Sequence, residues 1–449
     1  MRWAAIVAMG LVLAARPPAR ADDADREAYL LRHPDAAWWL SGQLNVIGQA
    51  QPGFHAPYSG VNSLRDTDHA AASEVVTGYG GYELTPTTAI VVALEVAGGG
   101  GLSDALGIAG FTNLDVVRNP TLGSTPYVGR AFLDQVIPLS PARTPHDRDP
   151  LHVLHALPDR RIELRAGKLS TADAFDVNAV AGDSHLQFLN WAVDNTAAYD
   201  YAADTRGYTL GVIVEYAAPQ WALRFGELAM PTVANGIDYD LDFGNARGEN
   251  LELELHDCIA GHHGIVRLLG FANHARMGRY RAALDAFVHH QLEDRPDITA
   301  TRVAGRVKLG AGVNVEHEIS DGIRGFARVG WSDGRYESFA YTEVDDTLAL
   351  GGDLGGAAWG RDADKLGVAA VSSGLADDHR RYLAAGGAGF LLGDGRLRYG
   401  RETIVEVYYT ARTSRGIYLA PDLQLVVNPG YNRDRGPVTI GSLRLHVEL

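Results

Sequence analysis

The feature that most constrains this chain is a two-residue rhythm of apolar and polar side chains, carried through segments of about ten residues from Trp38 to the last residue. In 305–319, Val307, Leu309, Ala311, Val313 and Val315 share one side of an extended strand, and Arg306, Lys308, Asn314, Glu316 and Glu318 share the other. The final segment sorts in the same way, with Leu443, Leu445, Val447 and Leu449 opposite Ser442, Arg444, His446 and Glu448. In 40–49, Ser41, Gln43, Asn45 and Gln49 oppose Leu40, Leu44 and Val46. In 250–256, Glu252, Glu254 and His256 oppose Leu251, Leu253 and Leu255. Successive side chains of a strand point to opposite faces, so each segment has one wet and one dry face.

A soluble sandwich alternates too, with its apolar face against a second sheet. The N-terminus and the connections favour a transmembrane barrel instead. Arg2, the apolar run 3–15, Pro17-Pro18 and Ala19-Arg20-Ala21 read as a signal peptide over 1–21. Arg16 stops that run short of the roughly 20 apolar residues a helical anchor needs. No later stretch is apolar enough to span as a helix, and with Cys258 as the only cysteine no intramolecular disulfide can staple the fold. Losing Arg2, Arg16 and Arg20 takes the formal net charge from −15 to −18, which argues against a nucleic-acid partner.

Short connections at 84–87, 217–220, 320–322 and 413–416 alternate with long polar ones at 51–72, 97–126, 169–205, 230–248 and 273–301. Two termini on one side of a closed barrel require an even number of strands. The weakest candidate, 383–392, therefore goes to a loop beside a helical stretch at 377–385. The expected fold is all-β: a closed antiparallel transmembrane β-barrel of about sixteen strands in the bacterial outer membrane. It occupies 38–449, after a periplasmic segment at 22–37. Trp38, Tyr127, Trp331 and Tyr409 are expected to face outward near strand ends, at the lipid interfaces.

In a pore, the inward residues carry the chemistry. Parity nominates Glu95, Arg130, Asp134, Arg161, Glu163, Arg165, Arg306, Lys308, Glu316, Arg324, Arg328, Glu406 and Arg444 as pore-lining. Trp39, Phe132, Phe326, Tyr408 and Tyr418 are candidates for stacking on a solute. Both signs of charge are mixed, which suits polar solutes; the same charges could equally serve only to keep a wide lumen wet. The connection 169–205, with Asp173, Asp176, Asp183, Asp194, Asp200, Asp204, Trp191, Tyr199 and Tyr201, either folds inward as a constriction or covers the mouth.

Metal and enzyme chemistry find little footing. Asp238, Asp240, Asp242 and Glu249 match the first, third, fifth and twelfth positions of a calcium loop, but Phe243 stands where that loop turns on glycine and Gly244 comes one place late. The types in His256, Asp257, Cys258, His262 and His263 can bind metal, yet their spacing fits no known site. The glycine run 98–101 lacks a phosphate-loop lysine, and no nucleophile elbow or HExxH is present, so an enzyme has no positive support.

Several stretches go further. They include Pro57-Tyr58-Ser59-Gly60 with Asn62-Ser63-Leu64, Gly101-Leu102-Ser103 with Gly107-Ile108-Ala109-Gly110-Phe111, and Arg130-Ala131-Phe132-Leu133. Gly167-Lys168-Leu169-Ser170, Phe188-Leu189-Asn190-Trp191, Asp200-Tyr201-Ala202-Ala203-Asp204 and Asn428-Pro429-Gly430-Tyr431-Asn432-Arg433-Asp434-Arg435-Gly436-Pro437 follow in order. From about Trp38 to Leu449 the chain resembles the carbohydrate-selective porins, the OprB-like family. The resemblance implies a sixteen-stranded outer-membrane barrel that admits sugars by passive diffusion, without a cofactor, as a homotrimer or a monomer. It extends to a proteobacterial branch that includes porins proposed to pass manganese, so a divalent-cation porin is the alternative. Leu449 departs from the aromatic residue with which such barrels usually end.

Overall fold

The alternation becomes a closed wall. The computed structural model describes residues 33, 35–116, 123–256, 262–291 and 294–449. The signal peptide expected at 1–21 lies outside the described residues, as do most of 22–37 and Asp257 and Cys258.

Sixteen long strands cross the barrel. The first eight are β1 (Trp38–Gln51), β2 (His69–Thr85), β3 (Thr88–Gly99), β4 (Tyr127–Pro138), β5 (Arg161–Leu169), β6 (Thr209–Ala218), β7 (Trp221–Pro231) and β8 (Arg247–His256). The rest are β9 (Gly264–Met277), β10 (Val303–Ser320), β11 (Ile323–Ser332), β12 (Asp346–Gly355), β13 (Lys365–Gly374), β14 (Glu402–Ser414), β15 (Ile417–Val427) and β16 (Val438–Glu448). Each pairs antiparallel with its neighbours in sequence, and β1 pairs with β16 from Gln43↔Glu448 to Ala50↔Gly441. The terminal Leu449 joins this seam, its N–H donating to Gly42 O at 2.7 Å. Closure leaves no edge of unpaired backbone, a condition lipid imposes because it cannot hydrogen-bond the main chain.

Burial follows the parity of the sequence. Leu94, Val329, Leu350 and Leu423 are each more than half exposed, whereas Ala93, Arg328 and Ala349 beside them are at most 1% exposed. An apolar belt of this size is unfavourable in water by about 25 cal/mol for each Å². It is a face suited to lipid rather than to water. Trp38 and Trp331 lie on that outer face near strand ends.

Tyr127 does not. Ala93 pairs with Arg130 but Leu94 pairs with Val128, so Gly129 is an extra, bulged residue of β4. One inserted residue reverses the parity beyond it, turning Val128 outward and Tyr127 into the barrel.

At the end where β1 begins and β16 finishes, most connections among the described residues are short, and the longest is 139–160. Segment 139–160 forms a small hairpin, Arg143–Pro145 with Ala156–Pro158, and tucks into the barrel mouth. There Val153 fills the space over Gly81, and Arg148 donates to Ala36 O at 2.9 Å and Trp38 O at 3.2 Å. At the opposite end the long loops carry α1 (Trp191–Asp194), α2 (Tyr280–Val288) and α3 (Asp377–Ala384). Tyr280 of α2 stacks on His379 of α3 at 4.1 Å, binding two loops into one cap.

Candidate functional site

The loop 170–208 enters the lumen and is buried along most of its length. Its backbone would be left without partners by such burial, and the barrel wall supplies them. Glu252 accepts Asp176 N–H at 2.8 Å, and Glu316 accepts Ala179 N–H. Glu406 accepts Leu189 N–H at 2.5 Å and Asn190 N–H at 3.3 Å. Arg328 donates to Val193 O at 2.6 Å, Arg444 donates to Ser184 O at 2.5 Å, and Lys308 pairs with Asp200 at 3.1 Å. Asp200 in turn accepts Phe339 N–H and Ala340 N–H. Glu402 holds the loop 100–116 in the same way, accepting Ala109 N–H, Gly110 N–H and Gly430 N–H. Charge-assisted bonds of this kind are about twice as strong as neutral ones.

The wall charges nominated by parity thus divide by task. Lys308, Glu316, Arg328, Glu406 and Arg444 bind inserted loops. Arg306 donates to Met277 O and Thr301 O at the rim. Arg161 and Arg165 flank Glu163 at 3.0 and 2.7 Å, with Asp134 buried beside them, and Arg324 pairs with Asp353 at 3.0 Å. Glu95 and Arg130 face open space.

That space is a cavity of about 190 Å³ between the inserted loop and strands β1 to β4. Tyr79, Tyr127, Trp191, Tyr201, Tyr208 and Tyr341 supply its aromatic surface. Trp191 and Tyr341 stack at 5.3 Å, with ring planes 4° apart. Glu95 accepts hydroxyl hydrogens from Tyr127, from Tyr208 at 2.8 Å and from Thr77 at 3.1 Å. Arg130 is gripped by both oxygens of Asp173 at 2.6 Å. Arg206 lies 3.9 Å above the Tyr127 ring.

His185 and Asp115 close one side of the slot, 3.4 Å apart, with His446 stacked on His185 at 5.3 Å. Burial opposes the charge on His185, but Asp115 and Asp183 outweigh it and raise its pKa to about 9. Burial likewise works against the Asp115 carboxylate, yet His185 brings its pKa below the usual range.

The stacking candidates lie elsewhere. Trp39 donates to Ser41 Oγ at 2.7 Å and sits under Arg148, while Phe132 packs in the same apolar cluster as Val153. Phe188 of the inserted loop covers Phe326 and Tyr408, at 6.0 and 4.8 Å. Tyr418 packs 6.1 Å from His446. Parity identified these rings as inward but carries no record of what a distant loop lays over them. Of the slot aromatics, Trp191 and Tyr201 were visible as members of a long aspartate-rich loop. Tyr127 was masked by the bulge.

The aspartate pattern does not converge. Asp240 accepts Asp242 N–H at 3.0 Å, Asp242 accepts Asn245 Nδ2 at 2.8 Å, and Glu249 pairs with Arg247 at 2.8 Å. Among the described residues no three His, Cys, Asp or Glu side chains are arranged to hold a metal ion. His256 pairs with Glu254 at 2.6 Å.

Comparison with known proteins agrees with this architecture. No curated protein sequence matches the chain. Among solved structures, the high-pH structure of Pseudomonas putida OprB superposes with a TM-score of 0.68 at 13% identity, over 92% of this chain and 94% of that one. The low-pH structure of the same protein gives 0.47 at 11% identity, over 92% and 93%. The outer membrane channel DcaP of Acinetobacter baumannii gives 0.46 at 11% identity, over 92% and 97%. A family model, carbohydrate-selective porin, OprB family, matches residues 92–449. With a closed sixteen-stranded barrel around an inserted loop and a match over most of its length, this chain belongs to the OprB family of carbohydrate-selective porins.

Proposed function

We propose that this protein, exported by the signal at 1–21, is an outer-membrane channel through which carbohydrates and similar small polar solutes diffuse passively. The observation that carries the reading is the slot itself. An inserted loop leaves a cavity of about 190 Å³ beside β1 to β4, edged by six aromatic rings and by both signs of charge. Sugar rings offer apolar C–H faces to aromatics and hydroxyls to charged and polar groups, a pairing this surface matches. Passage by diffusion needs such contacts to be numerous and individually weak.

A divalent-cation channel fits the geometry less well. It calls for convergent carboxylate oxygens, whereas Glu95 is occupied by three hydroxyls, Asp115 by His185 and Asp204 by the Tyr239 hydroxyl at 2.7 Å.

Purified full-length protein in planar bilayers is expected to give discrete channel events, and proteoliposomes to swell faster in glucose than in a zwitterionic amino acid of similar size. Absence of channel events, or a reversal potential governed by manganese, would overturn the reading.

A further inference from the structure

The charged groups of the slot differ in how far their hydrogen-bonding capacity is already used. Glu95 accepts three hydroxyl hydrogens. Asp115 is taken by His185 and by Asn45 Nδ2. Asp204 accepts the Tyr239 hydroxyl at 2.7 Å, Arg206 N–H at 2.9 Å and Tyr208 N–H at 3.2 Å. Arg130 is held through two nitrogens by Asp173. Acceptors and donors alike are committed to holding the slot together.

Arg206 is the exception. Its guanidinium carbon lies 3.9 Å from the centre of the Tyr127 ring, and among the described residues it forms no ion pair and donates no side-chain hydrogen bond. A cation–π contact consumes no N–H donor, so the N–H groups of Arg206 are free to bind. A free, planar, two-pronged donor is complementary to a carboxylate.

We propose that the slot favours sugars bearing a carboxylate, the uronates and aldonates, over neutral sugars, and that Arg206 makes the distinction. The inference rests on the carbohydrate-channel reading and narrows its substrate class. In the bound arrangement the sugar ring lies within the aromatic lining, and its carboxylate meets the N–H groups of Arg206. The other charged groups of the lining already have partners, so a neutral sugar exchanges water for fewer charge-assisted contacts than its acid does.

The test uses ion current through the full-length protein in planar bilayers at constant ionic strength, titrated with D-glucose or sodium D-glucuronate. Glucuronate is expected to reduce the current at about a tenfold lower concentration than glucose, the size of one charge-assisted hydrogen bond. Arg206→Gln is expected to bring the half-blocking concentrations of glucose and glucuronate to within about twofold of each other. Equal potency in the wild-type channel would overturn the proposal without recourse to a variant. So would a preference that survives in a folded Arg206→Gln channel, its folding checked by heat-modifiable mobility. Glucose-driven swelling of proteoliposomes is measured in parallel. Swelling without glucuronate preference removes this inference alone, whereas absence of swelling removes the channel reading with it.

Discussion

Asp194 sits on the inserted loop with one carboxylate oxygen lacking any partner, and burial, only partly offset by Arg328, raises its pKa to about 7. A carboxyl whose folded pKa lies above its unfolded value of 3.8 binds more protons in the native state between those limits. Stability therefore falls as pH rises from about 4 to about 7 and stays level above. Asp194→Asn is expected to abolish that slope and to stabilise the barrel at pH 8, by on the order of 1–3 kcal/mol, in denaturant titrations followed by gel mobility. His185 has the opposite chemistry. Its raised pKa gives a contribution that is complete below 6.5 and is lost as pH rises through about 9. Open-channel current noise should thus increase in a transition near pH 9, absent from His185→Gln. The tyrosines lining the slot from the loops, Tyr201, Tyr208 and Tyr341, are pushed upward by burial and do not titrate in that window.

At the scale of elements, the strands were legible because a strand reports its two faces every second residue. Lys308 and Arg328, 0% exposed, and Leu309 and Val329, about half exposed, fall on the sides that alternation assigned. What a face touches is a separate matter. Glu406 and Arg444 read as lumen charges, and nothing local in β14 or β16 announces that a loop more than 200 residues away would take them as anchors. The same limit hid the tucked segment 139–160, and the single inserted Gly129 displaced Tyr127. Removing an anchor tests this division of labour. Glu406→Ala leaves two buried N–H groups of the loop unpaired, a cost of about 1–3 kcal/mol for each. The barrel should still form, while limited proteolysis should cut within 170–208 faster than in wild type.

For the whole molecule, the negative balance of the full sequence, −15, sets a field that gathers cations at the mouths, distinct from the local donor at Arg206. The screening length shrinks from about 10 Å at 0.1 M salt to about 3 Å at 1 M. Reversal potentials under a fixed tenfold KCl gradient should therefore show cation preference at low salt that fades at high salt. The barrel also depends on its seam. A chain lacking Val438–Glu448 has two open edges and should give no heat-modifiable band in membranes. Strand β1 has a double membership: it zips against β16, and through Gln43 it forms part of the cavity wall. An incompletely sealed barrel would be an unselective leak rather than a weak channel, so the last stitch of assembly is also the step that makes the passage discriminating.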